Sequence, residues 1–170
     1  MKSKLLFSGR FLKVYGKESL YPNGYKAKVE YVKHPGSVAV LPFLSASQII
    51  FIRQFRPVVG EYVWEIPAGT LEKDESPLSC VRREIKEEIG FSARSFEKLG
   101  LIYLACGYST EKMIVYKANR LRKLEHKPQG DKDELIEVKV LTLREVKRKA
   151  RRGEILDSKT LAALFLSGII

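Results

Sequence analysis

Cysteine and histidine are scarce, with two of each in 170 residues. Cys80 and Cys106 are too few for a disulfide framework, and the few histidines leave no Cys/His zinc site at the usual spacings. Any bound metal is therefore expected to be held by oxygen. Long apolar runs are also missing. The longest, Leu161 to Ile170, is broken by Ser167 and Gly168 and falls well short of the roughly 20 residues that cross a bilayer, so no membrane partner is expected. Met1 to Gly16 interleaves Lys2, Lys4, Arg10 and Lys13 with apolar residues. That excludes a signal-type apolar core and points to the cytoplasm. Acid is the minority charge, 20 Asp plus Glu against 31 Lys plus Arg, for a formal net charge of +11. Such a balance suits an anionic partner, either a nucleic acid or a small anionic substrate, without choosing between them. What is present, 45% apolar and 30% charged residues, is the composition of a soluble chain with one sizeable core.

The pattern along the chain predicts mixed α and β structure. Arg10 to Tyr15 and Lys26 to Lys33 alternate around a turn signal at Tyr21-Pro22-Asn23-Gly24, with Ala27, Val29 and Tyr31 on one face, as in a small antiparallel β module. Beyond His34-Pro35-Gly36, the β-branched runs Ser37 to Leu44 and Gln48 to Phe55 read as core strands. From Ser76 to Gly90 the period changes. Leu78, Val81, Ile85 and Ile89 recur at helical spacing, with Ser76 as cap, Pro77 in the first turn and Gly90 as terminator. Further strands are predicted at Phe96 to Leu104, Lys112 to Ala118 and Ile136 to Leu141. Helices are predicted at Leu143 to Arg152 and, capped by Asp157, at Ser158 to Ser167. In the first of these, the basic run Arg144 to Arg152 alternates with Leu143, Val146 and Ala150, which reads as a solvated helix face before a phosphate-binding one.

The helix at 76–90 carries the chemistry. At about 100° per residue, Glu84 and Glu88 lie one turn apart on one side with Glu87 slightly further round. Like charges so spaced weaken a helix by about 0.2–0.5 kcal/mol per pair, and a hard divalent cation reverses the sign. Mg²⁺ takes oxygen ligands, keeps several waters and bridges to substrate phosphates. Arg83 projects to another side in this projection, where it can pair with Glu75 and hold the preceding loop. Gly69 and Gly90 stand where the backbone must turn or be approached closely. Taken alone, the acidic residues also fit a solvated helix with Lys86 and Arg82 as partners.

The full stretch decides between these. From Gly69 to Phe91 it resembles the Nudix box, Gly-x5-Glu-x7-Arg-Glu-U-x-Glu-Glu-x-Gly-U with U apolar, at every defined position. A chance match is expected on the order of once in ten million such chains at ordinary residue frequencies. The resemblance implies metal-dependent hydrolysis of a nucleoside diphosphate linked to another group, and an α/β fold, the Nudix α/β/α sandwich with a mixed β-sheet. It implies Glu84 and Glu88 as metal ligands and Glu87 as a supporting or water-mediated ligand. Gly69, Glu75, Arg83 and Gly90 would support the loop.

Outside the box the chain resembles the ADP-ribose pyrophosphatase branch. The segments Gly9 to Val14, Pro22-Asn23-Gly24 and His34 to Val40 are similar to the N-terminal strands of that branch, which implies a module at 1–36 before a hydrolase domain at 37–170. In the branch this module is exchanged across a homodimer and helps build the substrate pocket. Arg53-Gln54-Phe55-Arg56 and Glu65-Ile66-Pro67-Ala68-Gly69 resemble its paired motifs. They imply Arg56 as the phosphate-gripping residue, Glu65 and Arg53 beside the substrate, and the Ala68 carbonyl as a metal ligand. Asp131 to Val138 resembles its acidic loop and implies Glu134 as the catalytic base, with Glu137 next. Phe11 stands where the branch stacks adenine, and Glu30 where a carboxylate meets the base. The implied reaction is hydrolysis of ADP-ribose to AMP and ribose 5-phosphate with Mg²⁺, Mn²⁺ being a possible substitute, and nucleic acid is not expected as a partner. One departure, Cys106 where the branch commonly has proline before Gly107, leaves the sugar open to ADP-glucose or GDP-mannose and makes Cys106 a small pocket residue. A sensing or nucleic-acid-binding module of the same fold would be expected to have lost box carboxylates, and none is missing.

Overall fold

The computed structural model describes residues 3–128 and 135–170. Strands β1 (Lys4–Ser8), β2 (Lys13–Leu20) and β3 (Lys26–Val32) make an antiparallel sheet in that order. The β2–β3 hairpin closes where expected. The Gly24 amide donates to the Tyr21 carbonyl at 2.9 Å and the Tyr25 amide to Asn23 Oδ1 at 3.1 Å. Strand β1 was not predicted, because Leu5-Leu6-Phe7 does not alternate. The strand predicted at Arg10 to Tyr15 begins instead at Lys13, since a turn closed by the Gly9 amide on the Leu12 carbonyl at 2.8 Å occupies the residues before it.

The second sheet has seven strands. β4 (Ser37–Ser45), β5 (Gln48–Arg56), β8 (Phe91–Tyr103), β9 (Lys112–Lys123) and β10 (Ile136–Thr142) follow the order β10-β5-β4-β9-β8. Short strands β6 (Glu61–Glu65) and β7 (Ala68–Thr70) add to β5 and β4 respectively. Among the described residues of this sheet only β4 and β9 pair in parallel, so the sheet is mixed. Its central strands are apolar on both faces because both faces are covered. Val38, Val40, Ile50 and Ile52 pack with Cys80, Val81 and Ile85 of the box helix. Their neighbours Ala39, Leu41, Ile49 and Phe51 pack with Val146, Ala163 and Leu164 of the two C-terminal helices. A period of two thus divides one run between two cores, and the result is the expected α/β/α sandwich.

The helices are α1 (Pro77–Glu84), α2 (Leu143–Arg151) and α3 (Ser158–Leu166). Ser76 caps α1 by accepting from the Ser79 amide at 3.1 Å, and Asp157 caps α3 through the Thr160 amide at 2.9 Å. Thr142 and Glu145 form a reciprocal capping box on α2. The regular helix predicted through residue 89 is corrected by the structure, in which Ile85–Ile89 is a widened π-helical turn. It closes where the Gly90 amide reaches the Ile85 and Lys86 carbonyls and Gly90 turns left-handed at φ 73°.

Candidate active site

Register brings the site together. β7 pairs with β4 so that Gly69 faces Val38 and Ala68 faces Ala39, which sets Ala68-Gly69 against the end of α1. The Ala68 amide donates to Glu88 Oε2 at 3.0 Å. A side chain at Gly69 would put its Cβ 1.7 Å from Glu84 Oε1 and 2.0 Å from the carboxyl carbon, so glycine is what admits this carboxylate against the strand. Glu84 and Glu88 are both buried, and buried carboxylates call for cations or donors. Oxygen donors of this kind suit a hard divalent ion. Among the described residues no three His, Cys, Asp or Glu side chains are placed to hold an ion alone. The donor set therefore fits an ion whose shell is completed by carbonyl, water and phosphate oxygens.

Arg83 is the positive centre of this region. Its guanidinium donates to Glu75 at 3.1 and 3.0 Å, to Glu84 at 2.7 Å, to Glu87 at 3.1 Å and to the Thr70 carbonyl at 3.2 Å. The pairing with Glu75 is as expected. The expectation that Arg83 points away from the metal-side carboxylates is corrected, because its long side chain forks between loop and helix. The bond from Arg83 holds the Glu75 carboxyl down at about 2, and the same bond raises the Arg83 guanidinium above its ordinary range. Burial and then the Glu84 charge push the Cys80 thiol up to about 12, so it stays protonated and inert.

A cavity of about 640 Å³ adjoins these groups, and Arg56, Ala68, Glu84, Glu87, Glu111 and Lys159 are among the residues that line it. Arg56 makes a two-pronged ion pair with Glu65, Nε to Oε1 and Nη2 to Oε2, each at 2.7 Å. Glu65 is also bonded to the Lys159 ammonium, which lies 3.0 Å from Asp157 Oδ1. Burial pushes the Glu65 carboxyl up, but the Arg56 bond and the Lys159 charge outweigh it and hold the group below the usual carboxylate range.

Other anticipated residues lie elsewhere. Arg53 stacks on Tyr62 at 4.9 Å and sits 4.0 Å from Glu137. It stands an odd number of strand positions from Arg56 and so faces the other side of β5. Phe11 is 78% exposed in the turn between β1 and β2, with the Arg10 guanidinium 4.9 Å above its ring, and Glu30 lies on β3 opposite Gly16. Glu137 pairs with Lys139 at 3.0 Å on β10. Cys106 is exposed and is not among the residues lining the cavity, a correction to its reading as a pocket residue. Glu134 lies outside the described residues. Among the lining residues that sequence reasoning missed are Glu111 and Lys159. Glu111 accepts from Ser37 Oγ at 2.7 Å, and Lys159 is buried. A lysine within the apolar pattern of α3 was the one available signal for the second.

The chain is similar to known proteins over most of its length. The NUDIX domain model matches residues 33–164. The chain is 38% identical over 159 residues to the ADP-ribose pyrophosphatase of Bacillus subtilis (strain 168), covering 94% of this chain and 86% of that protein. It is 35% identical over 164 residues to the methanol dehydrogenase activator of Bacillus methanolicus, covering 96% and 89%. Among solved structures, that of an ADP compounds hydrolase superposes with a TM-score of 0.85 at 22% identity, covering 98% of this chain and 90% of that one, which shows a shared fold. With a family model spanning most of the chain, and Gly69, Arg83, Glu84 and Glu87 of the box lining one cavity, the chain belongs to the NUDIX family.

Proposed function

We infer that the protein is a nucleoside diphosphate-sugar pyrophosphatase that hydrolyses ADP-ribose to AMP and ribose 5-phosphate. The observation that carries this reading is the seating of Glu84 and Glu88 against Ala68-Gly69 beside a cavity that Arg56 also lines. The similarity to an ADP-ribose pyrophosphatase over 94% of the chain supports the substrate. Hydrolases of the family generally require a divalent metal. Mg²⁺ is the ion we assign, with Mn²⁺ as a substitute, held by Glu84, Glu88 and the Ala68 carbonyl with Glu87 assisting through water. When bound, such an ion neutralises pyrophosphate charge and activates the attacking water.

The chain's own residues supply the rest. Arg56 presents its remaining guanidinium donors to phosphate oxygens while Glu65 fixes its plane. Water adds its oxygen to one phosphorus as the bridging bond breaks, and its proton passes through a carboxylate to the departing phosphate. Glu134 is assigned as that base, because Glu137 is already paired with Lys139 on the sheet. Gln replacement at each position tests the choice, since only the base should lower kcat without weakening metal binding.

We divide the chain into an N-terminal module at 1–36 and a hydrolase domain at 37–170. The module leaves Leu5, Leu6, Phe7, Phe11, Leu12 and Leu20 exposed. A three-stranded sheet needs a covered apolar face for stability, and a second copy of the chain would cover it and bring Phe11 and Glu30 to a cavity as a homodimer. No helix among the described residues is long and apolar enough to cross a membrane, and this reading places the enzyme in the cytoplasm. The test is AMP release from ADP-ribose, ADP-glucose, GDP-mannose, NADH, diadenosine polyphosphates and capped RNA, with and without Mg²⁺. Fast metal-dependent cleavage of ADP-ribose is expected, and cleavage of none of the panel would overturn the reading.

A further inference from the structure

Lys159 is placed against ordinary preference on two counts. It is buried, with 7% of its surface exposed, and it stands in the first turn of α3, where the helix end is already positive. Its surroundings hold it there. Asp157 Oδ2 accepts from the Thr160 amide at 2.9 Å, and Thr160 Oγ1 accepts from the Ile66 amide at 3.0 Å. The start of α3 is thereby pinned to the segment that leads into Ala68-Gly69. From this fixed base the Lys159 ammonium reaches Glu65 and, at 3.0 Å, Asp157.

Glu65 therefore holds two cations at once. Arg56 gives it Nε and Nη2 and keeps its Nη1 donors. An ammonium carries three N–H bonds, and those directed to Glu65 and Asp157 account for two. Both side chains line the cavity of about 640 Å³ that Glu84 and Glu87 also line. Resting on the reading of this cavity as a pyrophosphate site, we propose that Lys159 is a second phosphate-binding residue. Glu65 acts as the positioning carboxylate that orients Lys159 and Arg56 toward the same diphosphate. Two carboxylates balance the two cations and keep them in place, so the arriving phosphate oxygens meet donors that need no reorganisation. The geometry also separates the roles of the two sides of the cavity, with anionic ligands for an ion along β7 and α1 and cationic donors for the diphosphate along β5 and α3.

The test replaces the ammonium by a neutral donor of similar length. K159Q is expected to raise the KM for ADP-ribose by about tenfold or more while kcat stays within about threefold, the value of one charged hydrogen bond to a ligand. The Kd for inorganic pyrophosphate, measured by titration calorimetry with Mg²⁺ present, should rise by a similar factor. K159R, which restores the charge, should recover most of that loss. A lysine that served only to pack α3 would lower the melting temperature and leave the pyrophosphate Kd of the folded variant unchanged, and that result would overturn the proposal. If K159Q fails to fold, K159M carries the same measurement. The two readings fail separately. Wild-type protein that binds pyrophosphate but cleaves no ADP-ribose, together with weakened binding in K159Q, sinks the substrate and supports Lys159. Wild-type protein that cleaves ADP-ribose, with an unchanged KM in K159Q, does the reverse.

Discussion

Two helices of this protein concentrate charge of one sign, and they resolve it in opposite ways. On α1 and its π-helical turn, Glu84, Glu87 and Glu88 crowd together, and the fold answers with Arg83 and the Ala68 amide. On α2 and its C-terminal cap, Arg144, Lys147, Arg148, Arg151 and Arg152 are all exposed, and among the described residues none has a carboxylate within ion-pair distance. The acids near α2 are otherwise engaged, Glu145 in the helix cap and Glu154 with Lys149 at 2.6 Å. Water screens exposed like charges at little cost, whereas buried like charges must be met by partners. Charge density alone thus says little about function. Burial of that charge beside a glycine-backed cavity is what marks the site.

The comparison can be broken most severely at Glu88. E88Q keeps the shape and the Ala68 contact but removes one buried anion. Turnover should fall at least about a hundredfold with folding intact, and full activity at saturating Mg²⁺ would remove Glu88 from the metal site. G69A attacks the same carboxylates sterically. The new methyl overlaps Glu84, so AMP release should fall about tenfold or more and stability by about 1–3 kcal/mol, both readable from kinetics and denaturant unfolding. If G69A were neutral, the close approach of Glu84 would not matter.

Acid sensitivity sharpens the electrostatic side. The Glu75 carboxyl is depressed in the folded state to about 2 from its ordinary value of 4.5. Its contribution is therefore full above pH 4.5 and is lost as pH falls from there toward 2. R83M removes the cause. Its unfolding midpoint in an acid titration should shift to higher pH, and an unchanged midpoint would mean that the Arg83–Glu75 pair contributes nothing. The smallest effect belongs to α2. K147E creates opposite-charge neighbours to Arg144 and Arg151, each worth about 0.2–0.5 kcal/mol, so melting should rise by about 1–3 °C with activity unchanged. A loss of activity would show that the basic face takes part in catalysis.

Much of the fold was legible in the residues because it rests on local period. The alternation through Val38 to Leu41 and Ile49 to Ile52 divides two cores. The caps read at Ser76 and Asp157 hold in the structure, while the capping box of Thr142 and Glu145 was not read from the residues. Strand β7 was not legible, since three residues have no period to read. The π-helical turn was missed because a helix and its widened variant share one pattern of apolar residues.

The site divides along the same line. The sequence by itself determined the box, because Gly69, Glu75, Arg83, Glu84 and Glu88 lie within one loop and one helix, where spacing translates directly into geometry. Only the tertiary structure decided what faces it. Glu65 and Lys159 stand 94 positions apart, and no periodicity links them. They meet because apolar Ala163 and Leu164 carry α3 onto the sheet and because the Ile66 amide finds Thr160. Burial then leaves Glu65 no water, so its two cations become obligatory partners.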